Sequence, residues 1–298
     1  SQDTTFKVSK MAKELKIPLT CIGIPKTVDN DLPITDCSPG FGSVAKYVAT
    51  STLEAGLDVK SMSETSTKVF ILEVMGRHAG WIAAASALAS KNETDPPHII
   101  LMPEVPFAKK KFIDKVKKTI ASEGFCVVVA SEGTRYKNGT FLADSGQTDA
   151  FGHKQLGGVA PVLAQMISSI GLKNHWAVSD YLQRSARHIS SKTDLDQAYA
   201  VGKKAVEFAL AGKNAVMPII KRLSNKPYKW KIESASLSKV ANVEKTLPKG
   251  YISKDGFMIT SKGIDYLSPL IQGETPIEFK NGIPVVAQLK NVLIKKLT

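Results

Sequence analysis

Four short polar strings hold most of the residues in this chain that could carry chemistry. The first, Pro25-Lys26-Thr27-Val28-Asp29-Asn30-Asp31, sets a cation, a hydroxyl and two carboxylates side by side. Carboxylates two apart can divide labour, one taking a proton from a hydroxyl nucleophile while the other supports a metal or orients its partner. Alone, the string also suits an Asx-turn. The second, Glu73-Val74-Met75-Gly76-Arg77-His78-Ala79-Gly80, offers a glycine that lets backbone approach a ligand and an arginine suited to an oxyanion. The third, Ser131-Glu132-Gly133-Thr134-Arg135, presents a carboxylate able to accept hydrogen bonds from sugar hydroxyls. The fourth, Tyr181-Leu182-Gln183-Arg184, places a phenol and a guanidinium three apart. Combined, these residues suit the binding of a polyol phosphate and phosphoryl transfer to one of its hydroxyls. Arginines grip the phosphate, Glu132 and the Met75-Gly76 backbone hold the polyol, and Asp29 deprotonates the attacking hydroxyl.

Each string follows a short apolar run, where a strand would end. Runs at 19–24, 69–74, 98–102, 125–130, 176–180 and 215–220 alternate with helical patterns at 42–55, 79–90, 110–122, 158–169 and 194–211. That alternation predicts an α/β, doubly wound (Rossmann-like) sheet whose near-continuously apolar strands are covered on both faces. Open sheets of this kind place their sites at the carboxyl ends of the strands. Beyond about Arg222 the pattern changes to an appendage, with short strands around 230–232 and 257–259 and a helix-like end over 285–297. The chain opens on a helical pattern, Phe6, Val8, Met11, Ala12 and Leu15, with no strand before it.

With 298 residues, 43% apolar and 22% charged, the composition is that of a globular chain with a sizeable core. No apolar run reaches the roughly 18 to 20 residues of a membrane span, so a cytoplasmic protein without membrane partners is expected. Cys21, Cys37 and Cys126 lack disulfide or metal spacing and read as buried thiols. The net charge of +13 raises nucleic acid as a partner, but only 5 of the 40 basic residues are Arg and the lysines are scattered. The tight run Lys109-Lys110-Lys111 opens an amphipathic helix with Phe112, Ile113, Val116 and Ile120 on its other side. No aromatic-interleaved basic motif accompanies it, so no nucleic-acid partner is expected.

The strings PKTVDNDL, EVMGRHAGW, SEGTRY and YLQRSARHISSKTDLDQAYAVGKKAVEFALAG, in that order, resemble the 6-phosphofructokinase family over about residues 1 to 221. The resemblance implies a two-lobed fold, N-terminally truncated. A fructose 6-phosphate (acceptor) lobe would span 41–184, and 1–40 with 185–298 would form the remainder of the phosphoryl-donor lobe plus a C-terminal extension. It also implies phosphoryl transfer to the 1-hydroxyl of fructose 6-phosphate with Mg²⁺. Thr27 and Asp29 would then bind the sugar, with Asp29 the base, while Met75, Gly76, Arg77, Glu132, Tyr181 and Arg184 contact the sugar phosphate and Asp31 supports metal or loop. Lys26, before that threonine, resembles the pyrophosphate-using members, where a lysine meets the charge of the transferring group. Pyrophosphate is therefore the expected donor, with an ATP-dependent enzyme or a non-catalytic sugar-phosphate-binding paralogue as alternatives. The family's glycine-rich donor loops have no counterpart in the sequence. Lys68 and His175 stand where ATP-using bacterial members carry arginines, one of which reaches a neighbouring subunit's sugar phosphate. A homo-oligomer, dimer or tetramer, with a shared site is implied.

Overall fold

A computed structural model describes residues 2–148, 154–156 and 158–295. The chain runs α1 (Gln2–Glu14), α2 (Phe41–Met62), β1 (Val69–Val74), α3 (Trp81–Ala85), β2 (Ile99–Leu101), α4 (Lys109–Glu123), β3 (Cys126–Ser131), β4 (Asp144–Thr148), β5 (Lys154–Leu156), α5 (Val159–Ser168) and β6 (Asn174–Val178). It continues through α6 (Leu182–Ser185), α7 (Lys192–Leu210), β7 (Val216–Asn225), β8 (Tyr228–Ser236), α8 (Ser261–Leu267), β9 (Phe279–Lys280) and β10 (Ile283–Pro284).

The central sheet is parallel, in the order β2-β3-β1-β6. Its apolar side chains alternate between two cores. Leu72, Val74, Ile100, Met102 and Val129 pack on one face against α2, α3 and α8, through Phe41, Trp81, Ile82 and Leu267. Val69, Ile71, Ile99, Leu101, Cys126 and Val128 pack on the other against α4 and α5, through Phe112, Val116, Leu163 and Ile167. Each such side chain removed from water is worth roughly 1.5–3 kcal/mol. The sheet is doubly wound as expected, and all four parallel strands fall inside residues 41–184.

Helix ends follow local chemistry. α4 buries Phe112 and Val116, turns its lysines to water, and stops at Gly124, whose φ of 83° lets its N–H reach the carbonyl of Ile120. α2 begins at Gly40 with no cap of its own. Asp194, in the first turn of α7, supplies one by accepting the Gly40 N–H at 2.8 Å, the Ser43 N–H at 3.1 Å and the Ser43 hydroxyl at 2.6 Å. The three cysteines are free and buried.

Several elements differ from expectation. Residues 19–24 form no ladder strand, making only a single parallel bridge, Ile22 to Val216. The run at 215–220 does not join the parallel sheet either. It opens a long hairpin, β7 pairing antiparallel with β8 across the turn between Asn225 and Tyr228. Around 257–259 there is one bridge, Ile252 to Ile259. Of the helix-like end expected over 285–297, residues 285–295 are not helical and 296–297 lie outside the described residues. Leu289 and Leu293 there are 89% and 96% exposed, so no packing surface offsets the entropy of winding a helix. β6 is an edge with Trp176 and Val178 exposed, rather than a strand covered on both faces. In α1, Ala12 is buried while Met11, and Leu15 just beyond the helix, face outward. Among the described residues no helix is long and apolar enough to cross a membrane.

Candidate active site

Three strand ends and one loop meet at the carboxyl edge of the sheet. β1 and β3 run in parallel register from Val69 opposite Cys126 to Val74 opposite Ser131. The N–H of Glu132 donates to the carbonyl of Val74 at 2.9 Å, carrying the pairing one residue beyond the strands. This lines up Met75-Gly76-Arg77 with Glu132-Gly133. Both glycines are required there. Gly76 has a φ of 125°, and a Cβ at Gly133 would lie 2.1 Å from the carbonyl oxygen of Arg77. The Gly76 N–H donates to Glu132 Oε1 at 3.3 Å, and the Ser131 hydroxyl to the Gly76 carbonyl at 2.5 Å. The Met75 N–H donates to Gln183 Oε1 at 3.3 Å, which ties α6 to the same point.

The loop carrying Asp29 completes the group. Its N–H donates to the Thr27 hydroxyl at 3.1 Å. Burial, then the negative charges of Asp31 and Glu132, push the Asp29 carboxyl up to about 6, while Lys26 and Arg77 act in the opposite direction. The Asp29 carboxyl therefore feels the charges of Asp31, Glu132, Lys26 and Arg77. Glu132 is also raised, chiefly by burial, against the Gly76 N–H and Arg77. A carboxyl poised near 6 is suited to accept a proton at neutral pH and keeps some driving force for doing so.

Two cavities flank this loop. One, of about 310 Å³, is lined by Val28, Gly40, Gln183, Arg184 and Asp194. The other, of about 530 Å³, is lined by Lys26, Asp3, Leu32 and Asn242. Arg184 is exposed and lies 4.1 Å from the centroid of the Tyr181 ring, a cation–π contact that leaves its edge free for an anion.

Lys68 and His175 are not brought to this group. They lie at the opposite end of β1 and β6, roughly 20 Å away at about 3.3 Å per strand residue. Two other arginines, Arg135 beyond β3 and Arg187 in the short turn after α6, are braces. Arg135 donates to the carbonyl of Arg77 at 3.1 Å and lies over Phe141, and Arg187 bonds Ser190 and Thr275. His98 is a satisfied core histidine, accepting the Val127 N–H at 3.0 Å. Two participants escaped notice in the sequence although they sit inside the motif strings. Gln183 buttresses Met75, and buried Glu73 accepts the Ala160 N–H at 2.7 Å beneath Glu132.

A doubly wound sheet with two raised carboxyls, Asp29 and Glu132, and two arginines, Arg77 and Arg184, near its carboxyl edge has the make-up of an enzyme that handles an anionic substrate. The phosphofructokinase family model matches residues 2–209, and the chain belongs to that family. The chain is 63% identical over 290 residues to a pyrophosphate–fructose 6-phosphate 1-phosphotransferase of Halomonas elongata, covering 97% of this chain and 69% of that protein. It is 56% identical to the protein of the same name in Xanthomonas campestris, covering 99% and 72%. The crystal structure of a pyrophosphate-dependent phosphofructokinase from Marinobacter aquaeolei superposes with a TM-score of 0.90 at 59% identity, covering all of this chain and 72% of that one.

Proposed function

We propose that this chain binds fructose 6-phosphate and carries the base that activates its 1-hydroxyl toward pyrophosphate, giving fructose 1,6-bisphosphate. The observation that carries this is the position of the Asp29 loop between two cavities, one bearing Arg184 and the other bearing Lys26. An acceptor held on one side and a donor on the other places the attacking oxygen at the loop. Arg184 and Arg77 hold the sugar phosphate, Glu132 and the Met75-Gly76 backbone hold its hydroxyls, and Tyr181 stacks behind Arg184. Asp29 takes the proton, Thr27 fixes the Asp29 backbone, and Lys26 faces the negative charge of the donor. A pyrophosphate donor is supported by Lys26 immediately before Thr27 and by the relatives' names.

The residues present suit a magnesium ion held partly by the donor. Among the described residues no three His, Cys, Asp or Glu side chains form a cage. Asp31, a carboxylate whose charge Asp29 already feels, would hold the ion, which commonly keeps one or two protein carboxylates and completes its shell with phosphate oxygens and water. When bound, it neutralises charge on the transferring phosphoryl group.

Residues 41–184 form the acceptor lobe in this proposal, and the flanking segments belong to the donor side. Lys68 and His175 then act only across a subunit boundary, and exposed Trp176 and Val178 on the β6 edge support a homo-oligomer. Three reduced, buried thiols support a cytoplasmic setting. The test is a coupled assay of the full-length protein with fructose 6-phosphate. Bisphosphate formation with pyrophosphate and not with ATP is expected. Turnover with ATP alone would overturn the donor assignment, and absence of turnover with either would overturn the reaction.

A further inference from the structure

The segment after β8 enters the core at Lys245, a residue that the chemistry above does not use. Its main chain and side chain both seize the loop that follows Asp29. The Lys245 N–H donates to the Asp31 carbonyl at 2.6 Å. Its ammonium donates to the Asp36 carbonyl at 2.8 Å, the Thr35 carbonyl at 3.1 Å and Asn30 Oδ1 at 3.4 Å, so all three donors end on one loop. Asn30 Oδ1 also accepts the Ser38 N–H at 3.1 Å, which closes residues 30–38 around the ammonium. Asn30 itself sits at a φ of 54°, a left-handed conformation that its side-chain bonds hold.

The cage is anchored from outside the loop as well. The Trp81 indole N–H donates to the Lys245 carbonyl at 2.9 Å, and the ring lies 5.2 Å from the ammonium. The Tyr266 hydroxyl donates to the Asp36 carbonyl at 2.5 Å and accepts from Asn30 Nδ2 at 3.0 Å. Arg222 holds the Asp36 carboxylate with Nε at 2.9 Å and 3.0 Å. An enclosed ammonium is a poor stabiliser, because desolvation offsets most of its attraction, and here burial pushes its pKa down to about 8. What three fixed donors on one loop do well is set geometry. The residue they set is the immediate neighbour of Asp29.

We infer that Lys245 is a positioning residue for the transfer reaction: by caging residues 30–38 it holds the Asp29 carboxylate at the angle from which it meets the sugar hydroxyl. This rests on the assignment of Asp29 as base. A misplacement of about 1 Å can cost about 10²-fold in rate.

The test is the full-length Lys245→Met protein, whose methionine fills much the same space without donors, with Tyr266→Phe as a milder variant that keeps the ammonium and removes the two hydroxyl ties to Asn30 and Asp36. Each is assayed well below its melting temperature. For Lys245→Met we expect kcat lower by at least 30-fold, KM for fructose 6-phosphate within threefold, and faster amide hydrogen exchange confined to residues 27–38. Tyr266→Phe moves in the same direction by a smaller factor. A Lys245→Met protein that keeps its kcat, or that loses KM and kcat together with exchange rising throughout the chain, overturns the inference, since the lysine is then merely structural. Asp29→Asn is run beside them. Wild-type turnover in that variant removes the base assignment, and the inference with it, whatever Lys245→Met does.

Discussion

The loop from Asp29 to Asp36 and the turn from Tyr181 to Arg184, the two sides of the proposed site, have opposite construction. In the loop, Asn30 and Thr35 are buried, and ties arrive from Lys245, Tyr266, Arg222 and the backbone of β7. In the turn, Tyr181 and Leu182 are 63% and 64% exposed, and only Gln183 is anchored inside. The difference teaches where preorganisation is spent. A base must be held within a fraction of an ångström of its proton, whereas a phosphate clamp can close onto a charged ligand as it arrives.

Substitutions at the two ends should therefore fail in different ways. The largest effect belongs to the loop: Asp29→Asn lowers kcat by about 10³-fold while leaving KM for fructose 6-phosphate within a few-fold, read by steady-state kinetics. Comparable losses in both parameters would break the contrast. In the turn, Arg184→Ala raises that KM by about 20-fold, the loss of a charge-assisted hydrogen bond, with a smaller fall in kcat. Isothermal titration with fructose 6-phosphate alone should show the same weakening.

The contrast also has a pH signature. Because the Asp29 carboxyl is raised to about 6, kcat/KM should fall about tenfold per unit once pH drops below that value. An acid limb near 4 would mean that the loop is open to water. The smallest effect is on stability. A carboxyl raised on folding favours the folded state below its unfolded pKa, near 4, and loses that contribution as pH rises through about 6. Asp29→Asn should accordingly raise the melting temperature by about 2–5 °C at pH 7.5 and by nothing below pH 4, measured by scanning calorimetry.

Much of this was legible in the sequence, for physical reasons. The run at 125–130 is wholly apolar and that at 69–74 is broken only by Glu73, because β1 and β3 are covered on both faces, so their ends, and the residues just beyond them, could be placed directly. The run at 215–220 reads the same way, yet it pairs with β8, because an apolar run does not state the direction of its partner. The tail over 285–295 carries helical spacing but nothing to pack on. Lys245 left no local trace, since its contact with Asn30 spans 215 residues and becomes visible only when the chain folds back on itself. Gln183 hid for a simpler reason: an amide between a phenol and a guanidinium draws no attention until it is seen supporting Met75.

The most direct test is a crystal structure of this chain with fructose 6-phosphate. The account predicts the sugar's 1-hydroxyl within about 3 Å of the Asp29 carboxylate, its ring over Gly76 and Glu132, and its phosphate on Arg184. A sugar phosphate bound with Asp29 out of reach of that hydroxyl, or held away from both Arg77 and Arg184, would contradict it.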